Sequence, residues 1–143
     1  MKSRHILVVE SQRENLPRIA EFVEEQLLGL GIPDKDIFEV GLAVDEACSN
    51  IILHGCGEDG GTIEIELAVS DDRIAVTLAD NCRPFNPLTV EPPDLCDDIE
   101  KRKVGGLGVF LIKKTMDEVG YEYRDGKNVL FIAKDRAGLP DDE

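Results

Sequence analysis

The sequence has 143 residues, the size of one ordinary domain, and 42% of them are apolar, which is enough for one core without metals or disulfides. Thirty acidic against sixteen basic side chains leave a net charge of -14, which repels nucleic-acid phosphates and anionic membranes and favours neutral or basic protein partners. No stretch approaches the roughly 18 to 20 apolar residues of a membrane helix, and residues 6–9 are too short an apolar run for an export signal, so a soluble, cytoplasmic protein is expected.

Residues 4–10 read as a strand. Asn15 is the expected cap of a first helix, whose first turn tolerates Pro17 and whose Ile19, Phe22, Val23 and Leu27 share one stripe. Gly29, Gly31 and Pro33 end it. A second helix begins after Asp34, carries Ile37, Gly41, Val44, Cys48 and Ile51 at spacings of three and four, and stops near Gly55. From Thr62 to Val69 the sequence alternates strictly, and after Ser70-Asp71-Asp72-Arg73 the same period resumes at Ile74, Val76 and Leu78, which predicts a half-buried hairpin.

Residues 81–106 hold four prolines and no sustained period, which is long for a connection inside a compact domain and suggests a lid at about 86–104. A third helix follows with Val109, Ile112 and Met116 on one face, then a strand at 121–123, a turn at Asp125-Gly126 and a last strand at 129–133. The order β-α-α-β-β-lid-α-β-β predicts a single α+β domain over 1–143. Its architecture is a two-layer sandwich, with helices on one face of a mostly antiparallel mixed sheet and a short acidic tail at 141–143.

The cysteines Cys48, Cys56, Cys82 and Cys96 show no Cys-x-x-Cys spacing, so free thiols in a reducing compartment are expected. A zinc site from Cys48, His54 and Cys56 lacks the usual ligand spacing.

Three short features point to chemistry. Glu46 and Asn50 lie four apart and so stack on one helix face, opposite Val44, Cys48 and Ile51. Leu42 and Leu53 beside them suggest that a ligand or lid covers that second face. The run Leu78-Ala79-Asp80-Asn81-Cys82-Arg83-Pro84-Phe85 puts a carboxylate at a strand end, where it can accept a hydrogen bond from an exocyclic amine while the next loop forms a wall. Gly105-Gly106-Leu107-Gly108 opens a helix whose free amides favour an anion, and Lys101, Arg102 and Lys103 stand just before it in an otherwise acidic chain. Taken singly, each has a bland reading as solvated surface, turn or hinge.

In this order the three features resemble the GHKL, or Bergerat-fold, ATPase and kinase superfamily. Glu46-x-x-x-Asn50 is similar to its N-box, Asp80 with the following loop to its first glycine box, and residues 105–108 to its second. The chain length, the Arg-Pro-Phe-Asn-Pro segment from Arg83 and the run Gly-Gly-Leu-Gly-Val-Phe-Leu-Ile-Lys-Lys from Gly105 resemble the single-domain anti-sigma regulatory serine kinases.

The resemblance implies that Asn50 holds Mg²⁺, that Glu46 orients or deprotonates the nucleophile, and that Asp80 binds the adenine amino group of ATP. It implies phosphate contacts by the amides of Gly106 and Gly108, flanked by Gly105 and Leu107, and a lid bearing Lys101, Arg102 and Lys103. Cys82, Phe85 and Asn128 would line the nucleotide. Cys82 stands where the family usually has glycine, and Asn128 near where many members have threonine. The implied partners are a sigma factor and a STAS-type anti-anti-sigma protein, and homodimers are common in the resembled family.

Glu46 favours an enzyme over the alternative, a partner-binding switch that holds nucleotide as a conformational ligand or not at all. ATP hydrolysis alone, with Glu46 activating water, is a third reading.

Overall fold

In the computed structural model, which describes residues 2–89 and 106–136, five strands form one sheet in the order β1-β2-β3-β5-β4. They are β1 (Ser3–Glu10), β2 (Thr62–Val69), β3 (Arg73–Asp80), β4 (Glu118–Arg124) and β5 (Lys127–Asp135). The expected α+β sandwich is present, and every described pairing in its sheet is antiparallel.

Period-two alternation sorts the strands into faces. Ile63, Ile65, Leu67 and Val69 of β2 are buried together with Ile74, Val76 and Leu78 of β3. Burial of each such side chain is worth about 1.5 to 3 kcal/mol. On the other face Ile6 and Val8 of β1 stay exposed, opposite Glu66 and Glu64 in register. The β4–β5 hairpin closes through Asp125 and Gly126, at φ 55° and 77°, the two-residue turn whose twist matches that of its strands.

The described helices α1 (Leu16–Gly29), α2 (Asp34–Asn50) and α3 (Gly106–Thr115) pack in one layer against the buried face. Ile19, Phe22, Val23 and Leu27 of α1 are buried as their spacing requires, and so are Val109 and Ile112 of α3 and Met116 just beyond it. Asn15 caps nothing with its side chain. A 3-10 turn, Arg13–Asn15, leads into α1, and the Asn15 amide donates instead to the Glu10 carbonyl at 2.8 Å, tying the helix start to the end of β1. Gly31, at φ 74°, turns the chain out of α1 while its N–H and that of Ile32 satisfy the carbonyls of Leu28 and Leu27.

The second helix is longer than a regular α-helix in the expected place. It keeps α geometry to Asn50 and then runs as one π turn, Ile51–Cys56, before Gly57 at φ 59° ends it. Lys134 of β5 fixes α2 to the sheet, its Nζ 2.7 Å from Glu39 and 4.0 Å from Asp36.

Candidate functional site

Asp80 is the last residue of β3, paired in register with Ile63 on one side and Asn128 on the other. Only 4% of it is exposed. Its Oδ1 accepts the Asn128 amide at 2.8 Å and the Cys82 N–H at 3.0 Å. Burial raises the pKa of this carboxyl above its ordinary value, and the bonds from Asn128 and Cys82 pull it back only in part. Sheet register thus supplies a desolvated acceptor at a fixed position.

Asn128 organises that end. Its amide nitrogen also donates to the Arg83 carbonyl at 2.9 Å, while its oxygen accepts the Phe85 N–H at 2.8 Å and the Tyr121 hydroxyl. A threonine, with one hydroxyl, cannot make this set of contacts. Asn128 therefore holds the whole loop after β3 in place, and the Phe85 ring lies under the π turn, 6.1 Å from the His54 ring.

At the other end Asn50 is buried although it sits opposite the main core stripe, because the Pro87–Thr89 turn covers it. Its Nδ2 reaches the Pro87 carbonyl at 3.5 Å, which leaves Oδ1 as the ligand-type atom of the amide. Glu46, one turn earlier, is half-buried and has its carboxyl pKa raised by desolvation and by Asp45, against a hydrogen bond with Asn50 that lowers it. Gly108 packs directly over Glu46: a Cβ there would overlap Cδ and Cγ of the glutamate. The expected cover over this face exists, but Leu42 and Leu53 remain 39% and 49% exposed.

Gly106, Leu107 and Gly108 open α3 as expected, with Gly108 brought to Glu46. Gly105, Lys101, Arg102, Lys103, most of the lid at 86–104 and the tail at 141–143 lie outside the described residues.

The expectation of free thiols is corrected. Cys56 and Cys82 form a disulfide with Cα atoms 5.0 Å apart, and among the described cysteines only Cys48 is free. The reason is topological: Cys56 lies shortly before β2 and Cys82 shortly after β3, so the hairpin returns one to the other. The grouping of Cys48, His54 and Cys56, already disfavoured by its spacing, is not brought together as a ligand set, since Cys56 is bonded to Cys82 and Cys48 is a free buried thiol. Among the described residues the cluster with ligand-type atoms close together is Cys56, Asp80 and Cys82. Cys48 is wholly buried, its thiol pushed up to about 12 by desolvation.

Three residues not expected in the site contribute to it. Arg83 donates to the carbonyls of His54 at 2.6 Å and Gly55 at 3.1 Å, satisfying the end of the π turn with a cation where the helix dipole favours one. Tyr121 buttresses Asn128, and Cys56 ties the π turn to the Asp80 loop. The hairpin spacing carried the signal for the cysteine pair; nothing local announced the arginine or the tyrosine.

A carboxylate at a sheet end, a Glu/Asn pair on a facing helix and a glycine helix start above that pair make one connected arrangement. Residues 9–134 match the histidine kinase-like ATPase domain family. The chain belongs to that family. Among the relatives of this histidine kinase-like ATPase domain, the serine-protein kinase RsbW of Listeria monocytogenes serotype 4a (strain HCC23) is 33% identical over 127 residues, covering 80% of this chain and 81% of the relative. The RsbW kinases of Bacillus mycoides (strain KBAB4) and Bacillus cereus (strain Q1) are 33% and 35% identical over 105 residues, covering 71% of this chain and 66% of each relative. The histidine kinase-like domain is thus that of a protein-serine kinase.

Proposed function

We propose that this kinase is an anti-sigma regulator that binds Mg-ATP, phosphorylates a serine of a STAS-type anti-anti-sigma protein and sequesters a sigma factor. We further take it to act as one cytoplasmic domain, with a nucleotide lid at about 86–104. The observation that carries the reading is the pairing of a desolvated Asp80, held by Asn128, with Glu46 and Asn50 beneath Gly108.

Asp80 has both of its described bonds on Oδ1, so Oδ2 is the oxygen for the adenine amino group. The loop from Cys82 to Phe85, fixed by Asn128, forms the adjoining wall. At the phosphate end Asn50 Oδ1 is a hard, neutral donor beside a carboxylate, a set that suits Mg²⁺. Asn50 would hold the ion with the nucleotide phosphates, and the ion would offset their charge against this acidic domain. The amides of Gly106 and Gly108, at a helix start, would contact the phosphates, and Lys101, Arg102 and Lys103 would supply positive charge to them.

In the reaction the partner's serine oxygen attacks the γ-phosphorus, a new O–P bond forms, and the bond to the β-phosphate oxygen breaks to release ADP. Glu46 accepts the serine proton. Its pKa, raised chiefly by burial, makes it a stronger base than an exposed glutamate.

Incubation with γ-labelled ATP and a STAS-type protein tests the reading. Label on a serine of that protein is expected. A tight complex without label transfer would replace the kinase by a binding-only switch.

A further inference from the structure

The disulfide between Cys56 and Cys82 joins the two halves of the site just described. Cys56 ends the π turn that continues α2, the helix of Glu46 and Asn50. Cys82 lies two residues beyond Asp80 and gives that carboxylate its backbone N–H. Both sulfurs and an Asp80 oxygen lie within 4.8 Å of one another.

The backbone around the sulfurs is shaped to admit them. Gly61 has φ 152°, and a Cβ on it would stand 2.5 Å from Cys82 Sγ and 2.9 Å from Asn81 Oδ1. Asn81 in turn accepts the Thr62 N–H at 2.9 Å, fixing the loop to the start of β2. A cavity of about 520 Å³, lined by residues 55–60 and 81–83, borders both cysteines and gives a small reagent a path to them. Of the two residues Cys82 is the less buried.

The pairing does not depend on the S–S bond to bring the chain together. The β2–β3 register already sets Ile63 against Asp80, and Arg83 binds the carbonyls of His54 and Gly55 across the same gap. After reduction the two thiols remain neighbours, a dithiol ready to be reoxidised.

We propose that Cys56 and Cys82 are a reversible oxidation site whose oxidant is a hydroperoxide, and that the disulfide state sets nucleotide affinity. The second half rests on the ATP reading above. The Cys82 thiolate attacks a peroxide oxygen, the O–O bond breaks, and the sulfenic acid forms as hydroxide leaves and is protonated to water. The Cys56 sulfur then displaces a second water and the S–S bond closes. Two thiols and one hydrogen peroxide thus give one disulfide and two waters, and a dithiol reductant returns both electrons and both protons. In the oxidised form the Cys82 sulfur lies 3.6 Å from the Gly60 carbonyl oxygen, and the S–S bond adds a covalent restraint, beside the bonds from Asn128, to the loop that presents Cys82 N–H to Asp80. The oxidised form therefore binds ATP more tightly than the dithiol form.

The full chain treated with hydrogen peroxide or with dithiothreitol provides the test, read by thiol alkylation with peptide mass mapping and by ATP calorimetry. A 56–82 cross-link that forms with peroxide and disappears with dithiothreitol is expected, with ATP bound at least about fivefold more tightly in the oxidised form. Cys56→Ser should show the affinity of the reduced protein and no response to peroxide. Cysteines 56 and 82 that both stay alkylatable after peroxide overturn the oxidation site. Affinities equal in the two states, or tighter in the reduced one, overturn the coupling. ATP bound in neither state while the cross-link still cycles removes the nucleotide reading and supports the oxidation site by its mass signature alone.

Discussion

At the Asp80 end every group is a sheet neighbour or a close sequence neighbour of the next: Asp80 opposite Asn128 in register, Cys82 two residues on, and Phe85 bound to Asn128. At the Glu46 end the parts come from separate elements, with Glu46 and Asn50 on α2, Pro87 from the loop after β3 and Gly108 from the start of α3. The first is held by register and a disulfide, the second by side-chain packing between helices. Recognition is thus built on one sheet end and chemistry at a junction of two helices and a loop, so substitutions at the two ends should separate affinity from rate.

The largest separation is expected from Glu46→Gln. Gln keeps the volume and the hydrogen bond to Asn50 but cannot take a proton, so phosphotransfer should fall by about 10² to 10⁴ while ATP affinity changes little. Single-turnover transfer beside calorimetry measures both, and a parallel loss of affinity would place Glu46 in binding instead.

Asp80→Asn should do the reverse. Replacing a charged acceptor for the adenine amine removes a bond worth about 1.5 to 3 kcal/mol, or roughly ten- to a hundredfold in ATP affinity, with the transfer rate at saturating ATP nearly kept. Unchanged affinity would remove adenine from Asp80.

The comparison also explains what could be read from the sequence. The strands and helices were legible because their periods are uninterrupted, as at Ile63, Ile65 and Leu67 or Ile19, Val23 and Leu27. Glu46 and Asn50 were legible because a helix brings residues four apart together. Asp80 was legible as a strand end, but its burial and its bond to Asn128 depend on pairing β3 with β5 across an intervening helix. Arg83 and Tyr121 act through carbonyls and amides distant in sequence, which no local pattern encodes. Cys56 and Cys82 were misjudged because spacing was counted along the chain, whereas the hairpin brings their two segments together.

Gly108→Ala is a gentler probe of the Glu46 end. The new methyl group overlaps Cγ, Cδ and Oε1 of Glu46, so the glutamate must leave its present rotamer while the helix backbone is kept. Phosphotransfer should fall about tenfold, while thermal unfolding shifts by no more than a few degrees. A large loss of stability with the rate per folded molecule intact would show that Gly108 serves packing and not the position of Glu46.

The smallest effect lies in the pH dependence of stability, and it sharpens the Asp80 end. The Asp80 carboxyl has a folded pKa raised above its ordinary 3.8, so ionisation is easier in the unfolded chain and weakens the fold. The stability associated with the neutral acid is complete below about 3.8 and is lost as pH rises through the folded value. In the Asp80→Asn variant the side chain cannot ionise, yet its amide oxygen still accepts the bonds from Asn128 and Cys82. That variant should therefore melt a few degrees higher than wild type at pH 7, with the gap closing as pH falls toward 4. Parallel thermal melts from pH 4 to 8, in one fixed redox state, measure it. A gap that favours the aspartate at pH 7 and reverses or closes at low pH would mean that the bonds from Asn128 and Cys82 outweigh the desolvation of Asp80, and a gap constant with pH that they balance it. In the first case the binding carboxylate would stabilise the fold, and in both the stability cost expected of its burial would be absent.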